Sequence, residues 1–126
     1  MPVPTEAVLD QMADAVIYAD RGGKIQLWNH AATALFGYEA AEALGRSIDI
    51  IVPERLRAPH WRGFEAAMAS GTLKLSGRPT LTRALHKGGS RLYIEMSFAL
   101  VKDADGSPVG SVAVARVAAP RAAAGQ

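Results

Sequence analysis

One histidine stands out among the residues whose type and spacing could do chemistry. In "VPERLRAPHWRGF", residues 52 to 64, His60 is followed by Gly63, Phe64, Ala67 and Met68 at i+3, i+4, i+7 and i+8. On a helix these positions share one stripe, so the imidazole heads an otherwise apolar face and points inward. An unpaired imidazole there costs on the order of 1–3 kcal/mol. Proline suits the first helical turn, so the helix is expected to start near Pro59, which sets the positive end of its dipole beside the ring. Both effects favour neutral imidazole, the form that ligates a metal. The competing reading is a half-buried histidine bonded to a nearby carbonyl.

Other chemistry is poorly represented. Asp14, Asp20 and Asp49 are too scattered for a carboxylate pair, and no nucleophile–base constellation or phosphate-binding glycine loop is present. "RGGK" lacks the strand–loop–helix context that a phosphate site needs. His30 and His86 flank turns and read as surface residues. The absence of cysteine excludes disulfides, thiolate metal sites, a cysteine nucleophile and a cysteinyl-flavin adduct.

The elements that must position His60 follow from periodicity. "TEAVLDQMADAV" begins with Thr5 as a cap and carries Val8, Leu9 and Met12 at helical spacing. "AVIYAD" (15 to 20) and "KIQLWN" (24 to 29) read as strands joined at Arg21-Gly22-Gly23, a hairpin signal. Asn29 caps the helix "HAATALFG", which Gly37 ends. Two short helical pieces follow, "EAAEALG" and "SIDIIVP", then the His60 helix, which stops at Ser70-Gly71. The second half reads as three strands, 72 to 87, 91 to 101 and 109 to 117. On the long middle strand Leu92, Ile94, Met96, Phe98 and Leu100 share one face, while Tyr93, Glu95 and Ser97 share the other.

Two strands, several short helices and three strands argue for an α+β fold, with helices on one side of an antiparallel sheet. The expected organisation is a flanking N-terminal helix over 1 to 13, one domain over 14 to 117, and a disordered tail or linker over 118 to 126. The length of 126 residues suits one domain. A net charge of +2 with dispersed basic residues suggests no nucleic-acid footprint. No apolar run approaches the roughly 20 residues that cross a bilayer, and the start lacks the features of a signal peptide. A soluble cytoplasmic protein is expected.

"DAVIYADRGGKIQLWNHAATALFGYEAAEALGRSIDIIVPE" resembles the first half of a PAS domain, and "HKGGSRLYIEMSFALVKDADGSPVGSVAVARV" resembles its closing three strands. The signals include "N-x-x-A-x-x-L-F-G-Y" and "G-R-x-I", and the resemblance covers roughly residues 5 to 117. It implies a five-stranded antiparallel sheet with short helices over one face enclosing a ligand pocket. It also implies a sensory or interaction module rather than an enzyme, although weak peroxidase-like activity of a bound haem stays open.

"VPERLRAPHWRGF" is similar to the corresponding stretch in haem-binding PAS domains of oxygen-sensing histidine kinases and related gas sensors. There the histidine at the place of His60 is the proximal iron ligand, so the resemblance implies haem b (iron protoporphyrin IX) held by His60. Small residues at Gly63 and Ala67 leave room for a flat macrocycle, with Phe64 and Met68 beside it. The sheet supplies the other wall through Ile94, Met96 and Phe98, where Met96 is either a sixth ligand or soft core filling that excludes water. Arg78 and Thr80 lie on the preceding strand. An arginine followed by Pro79 departs from the common pattern and argues against oxygen stabilisation. It leaves Lys74 and Arg78 as candidate propionate partners or as solvent-exposed charges.

Two functions stand side by side at this point. The first is a haem-binding sensor of a diatomic gas (O2, CO or NO) or of redox state, signalling to a downstream domain or protein. The second is a PAS interaction module without a tightly bound cofactor, or with non-covalent flavin. In both, the expected self-association is a homodimer through the N-terminal helix and the sheet face.

Overall fold

Turn chemistry at Asp20 begins the sheet. Its Oδ1 accepts the N–H groups of Gly22 and Lys24, each at 3.0 Å, and its Oδ2 accepts from Gln26 Nε2 at 3.0 Å. These bonds, foremost the one from Lys24 N–H, hold the Asp20 carboxyl below its ordinary pKa of 3.8. Gly23 takes the left-handed conformation that the turn requires, with φ of 80°. The strands on either side, β1 (Ala15–Asp20) and β2 (Ile25–Trp28), pair antiparallel.

The computed structural model describes residues 2–73 and 78–118. Beyond β2 come α2 (His30–Phe36), α3 (Ala40–Ala43), a 3₁₀ turn (Ile48–Ile51) and α4 (Glu54–Ser70). Then follow β3 (Thr80–Leu85), β4 (Arg91–Lys102) and β5 (Pro108–Val117), while α1 (Thr5–Gln11) precedes β1. The five strands form one antiparallel sheet in the order β2-β1-β5-β4-β3, the α+β architecture expected. Its inner face carries Ala15, Ile17, Ile94, Met96, Ala113 and Ala115, which join Phe36, Ala43, Ile48 and Ile51 in a single core.

Asn29 holds the first half together. It is 2% exposed. Its Oδ1 accepts from Val16 N–H at 2.9 Å and from Ala32 N–H at 3.0 Å, the second being the expected cap of α2. Its Nδ2 donates to Leu9 O at 2.8 Å and Asp14 O at 3.0 Å, which ties α1 to β1. Gly37 closes α2 with φ of 86°.

Several boundaries differ from the sequence reading. The helix holding His60 begins at Glu54 rather than near Pro59, with Pro53 as its N-cap and Pro59 inside it. Pro59 forfeits one intrahelical bond, the one its missing N–H would make to Arg55 O. Arg57 secures the first turns by donating from Nε to Val52 O at 3.0 Å and from Nη2 to Asp49 O at 3.2 Å. Thr5 is the first residue of α1 and does not cap it; the N-cap is Pro4. Among the described residues the strand expected over 72 to 87 runs over Thr80–Leu85, and residues 74–77 lie outside them. Of the tail expected over 118 to 126, residues 119–126 also lie outside them. His86 is half-buried rather than a surface residue: its Nδ1 accepts from Gly88 N–H at 2.9 Å, and its ring occupies the space a side chain at Gly37 would need.

Candidate ligand-binding site

Between α4, the 3₁₀ turn and the inner face of the sheet lies a cavity of about 340 Å³. That volume falls in the roughly 300–1,000 Å³ range of small-molecule pockets. Ile48, Ile51, Val52 and Leu56 line it from the segment leading into α4, and His60 and Phe64 from α4 itself. The sheet contributes Ile17, Ala19, Ile94, Met96 and Phe98, with Thr82, Arg83 and Ala84 from β3. Exposed Pro59 among these residues brings the cavity to the surface.

His60 is the polar group that the interior leaves unmatched. Its Nδ1 is buried and has no hydrogen-bond partner among the described residues. Burial lowers its pKa from the ordinary 6.5, while the Asp49 carboxylate pulls weakly the other way. The ring is therefore neutral near pH 7. The helix dipole, expected to share in this neutrality, does not. With the start of α4 at Glu54, His60 lies in its second turn, where that effect has faded, and desolvation is the cause. Phe64 stacks on the imidazole at 6.3 Å and 22°, and Trp61 meets it edge-on at 5.1 Å and 78°.

The predicted site residues divide into two sets. His60, Phe64, Ile94, Met96 and Phe98 come together around the cavity. Ala67 and Met68 are buried, at 5% each, but do not line it, and Gly63 is exposed. Arg78 is exposed ahead of β3. Thr80 is placed outside the lining, with Oγ1 donating to Met96 O at 3.3 Å. Lys74 lies outside the described residues.

Arg83 is the charged residue that β3 adds to the lining and that sequence reasoning passed over, but it pairs with Tyr93 of the outer sheet face, so its side chain is directed away from the cavity. The 3₁₀ turn residues were also missed, since short apolar pieces have no period that reveals which way they face.

A single imidazole does not hold a bare ion. Among the described residues no three His, Cys, Asp or Glu side chains come together. The site instead suits a ligand that brings most of its own coordination and needs apolar walls. A neutral orphaned imidazole, facing an interior lined by Ile, Phe and Met, fits a haem in that respect.

The PAS fold family matches residues 5–118. The chain belongs to the PAS family. An uncharacterised protein of Azorhizobium caulinodans is 36% identical over 92 residues, covering 72% of this chain and 12% of its own length. Sensor protein FixL of Bradyrhizobium diazoefficiens is 41% identical over 54 residues, covering 43% of this chain and 11% of that protein. Oxygen sensor protein DosP of Escherichia coli is 27% identical over 94 residues, covering 75% of this chain and 12% of that protein. The PAS chain thus spans about an eighth of the length of such relatives. In structure it is similar to the PAS domain of a protein from Colwellia psychrerythraea, with a TM-score of 0.75 at 23% identity over 90% of this chain and 93% of that one. That likeness concerns the fold.

Proposed function

We infer that this PAS domain is a haem-binding sensor in which His60 holds the iron. The observation that carries the reading is the buried His60 Nδ1, without a partner among the described residues, on a ring that forms part of an apolar cavity wall. Its similarity to an oxygen sensor supports the same reading.

Haem iron supplies reversible binding of a diatomic gas (O2, CO or NO) and a one-electron redox change. The chain supplies the rest. His60 stays neutral through burial and so keeps a lone pair for ligation. Ile94 and Phe98 exclude water from the opposite wall, and Met96, 7% exposed, offers a thioether there. Signalling requires the ligand to favour one of two arrangements of α4 against the sheet.

The proposed output is a homodimer working on a downstream domain or protein. Val8 of α1 and Met12, which caps it, are exposed, at 49% and 38%, as is Tyr93 on the outer sheet face at 53%. Those surfaces also favour the second reading, an interaction module without a tightly bound cofactor. Among the described residues no helix is long and apolar enough to cross a membrane.

An absorption spectrum separates the two readings. Expressed with haem supplied, the protein is expected to show an intense Soret band that His60→Ala abolishes while its circular dichroism stays unchanged. A protein that remains colourless after haem addition, or a His60→Ala variant that keeps the band, refutes ligation by His60.

A further inference from the structure

A ligating imidazole is ordinarily oriented by a hydrogen bond at its second nitrogen. Neither ring nitrogen of His60 has a hydrogen-bond partner among the described residues, so its neighbours must set the angle of the ring. Trp61 is the neighbour with fixed anchors of its own. Its indole N–H donates to Asp49 Oδ1 at 2.8 Å. Its six-membered ring lies over Gly23, where an added Cβ would overlap Cη2.

These anchors are themselves tied together. Ile48 N–H donates to Gly23 O at 3.0 Å, which joins the β1–β2 turn to the 3₁₀ turn. Ser47 Oγ accepts from Asp49 N–H at 3.1 Å. Arg57 Nη2, one turn before Trp61 on α4, donates to Asp49 O at 3.2 Å. Packing over Gly23 alone would be served by phenylalanine; the indole N–H, half-buried, requires an acceptor and finds it in Asp49. The indole and Phe64 then bracket the imidazole, and they touch each other edge-on at 5.4 Å and 83°.

We propose that Asp49 and Trp61 are positioning residues that hold the His60 ring in the orientation needed for metal ligation, in place of the usual hydrogen bond to the ring. The inference rests on the haem reading of His60 and deepens it. It assigns a role to a contact between three segments that the cavity lining alone does not use.

Proton–carbon NMR of the haem-free chain reads the ring directly, because Trp61 and Phe64 shift the His60 ring protons. Asp49→Ala is expected to move those resonances toward random-coil positions. Asp49→Asn, whose Oδ1 still accepts the indole N–H, is expected to retain them. In the haem-loaded chain Asp49→Ala should lose haem to an excess of a scavenging globin about tenfold faster than the parent, with Asp49→Asn within about twofold. Trp61→Phe keeps a ring over Gly23 without the donor and should behave as Asp49→Ala does, so the test survives if Asp49→Ala folds poorly. His60 resonances unmoved in both Asp49→Ala and Trp61→Phe overturn the proposal, and so does haem loss at the parent rate from both. A parent that never acquires a Soret band fails the haem reading instead. Parent-rate loss from variants of a chain that His60→Ala renders colourless fails the positioning pair alone.

Discussion

At the β1–β2 end of the molecule the buried polar side chain uses all of its bonding capacity, whereas at the α4 end one does not. Asn29 accepts two hydrogen bonds at Oδ1 and gives two from Nδ2, the full complement of an amide. His60 is placed against the core with Nδ1 unpartnered among the described residues. Asn29 caps α2 while His60 lies in the second turn of α4, and both helices pack on the same sheet. Asn29 is built to join segments of this chain. His60 is left with capacity for something the chain does not contain. Satisfied networks rigidify, and an unsatisfied buried group is a standing cost that a ligand can remove.

The largest effect should come from breaking the satisfied end. Asn29→Ala removes four hydrogen bonds, leaving Leu9 O only its bond from Met12 N–H, and is expected to cost on the order of 3–4 kcal/mol. Urea unfolding measures it, and a loss below about 1 kcal/mol would erase the contrast drawn here.

The same measurement at the other end should give the opposite result. In the haem-free chain His60→Leu removes a polar group that burial penalises, so stability is expected to hold or rise by up to about 1 kcal/mol. The same variant should take up no haem.

Acid sharpens the comparison further. Burial lowers the pKa of folded His60 below the 6.5 of the unfolded chain. Below pH 6.5 the unfolded state therefore binds more protons, and the haem-free protein should lose stability as pH falls from there toward the lowered folded value. His60→Leu should flatten that slope. The loss tied to Asp20 belongs to a separate window that opens only near its ordinary 3.8 and continues below it. An unchanged slope in His60→Leu would assign the effect to another group.

The smallest effect should come from the surface. Arg116 pairs with Asp14 at 2.6 Å but is 61% exposed, so Arg116→Ala should cost less than about 1 kcal/mol. Thermal unfolding in low and high salt measures it.

Much of this arrangement was readable in the chain. Asn29 as a cap, Gly37 as a stop and the alternation of Ile94, Met96 and Phe98 depend on neighbours a few residues away, and the structure places all of them as read. His60, Phe64, Ala67 and Met68 of the predicted stripe turn inward, but Gly63 is exposed, and Pro59 misled the choice of helix start. A proline is tolerated inside a helix when one lost bond is offset by others, and the Arg57 bonds to Asp49 O and Val52 O were invisible in the spacing.

Sequence by itself determined the elements, the family and the one histidine worth testing, because helical and strand periods are local and survive in the order of residues. Only the tertiary structure decided that Thr82 rather than Thr80 lines the cavity, that Ala67 and Met68 stand away from it, and that Trp61 meets both Asp49 and Gly23. Those are encounters between segments far apart along the chain. Their geometry is set by how helices pack across a twisted sheet, and no period within a single element records it.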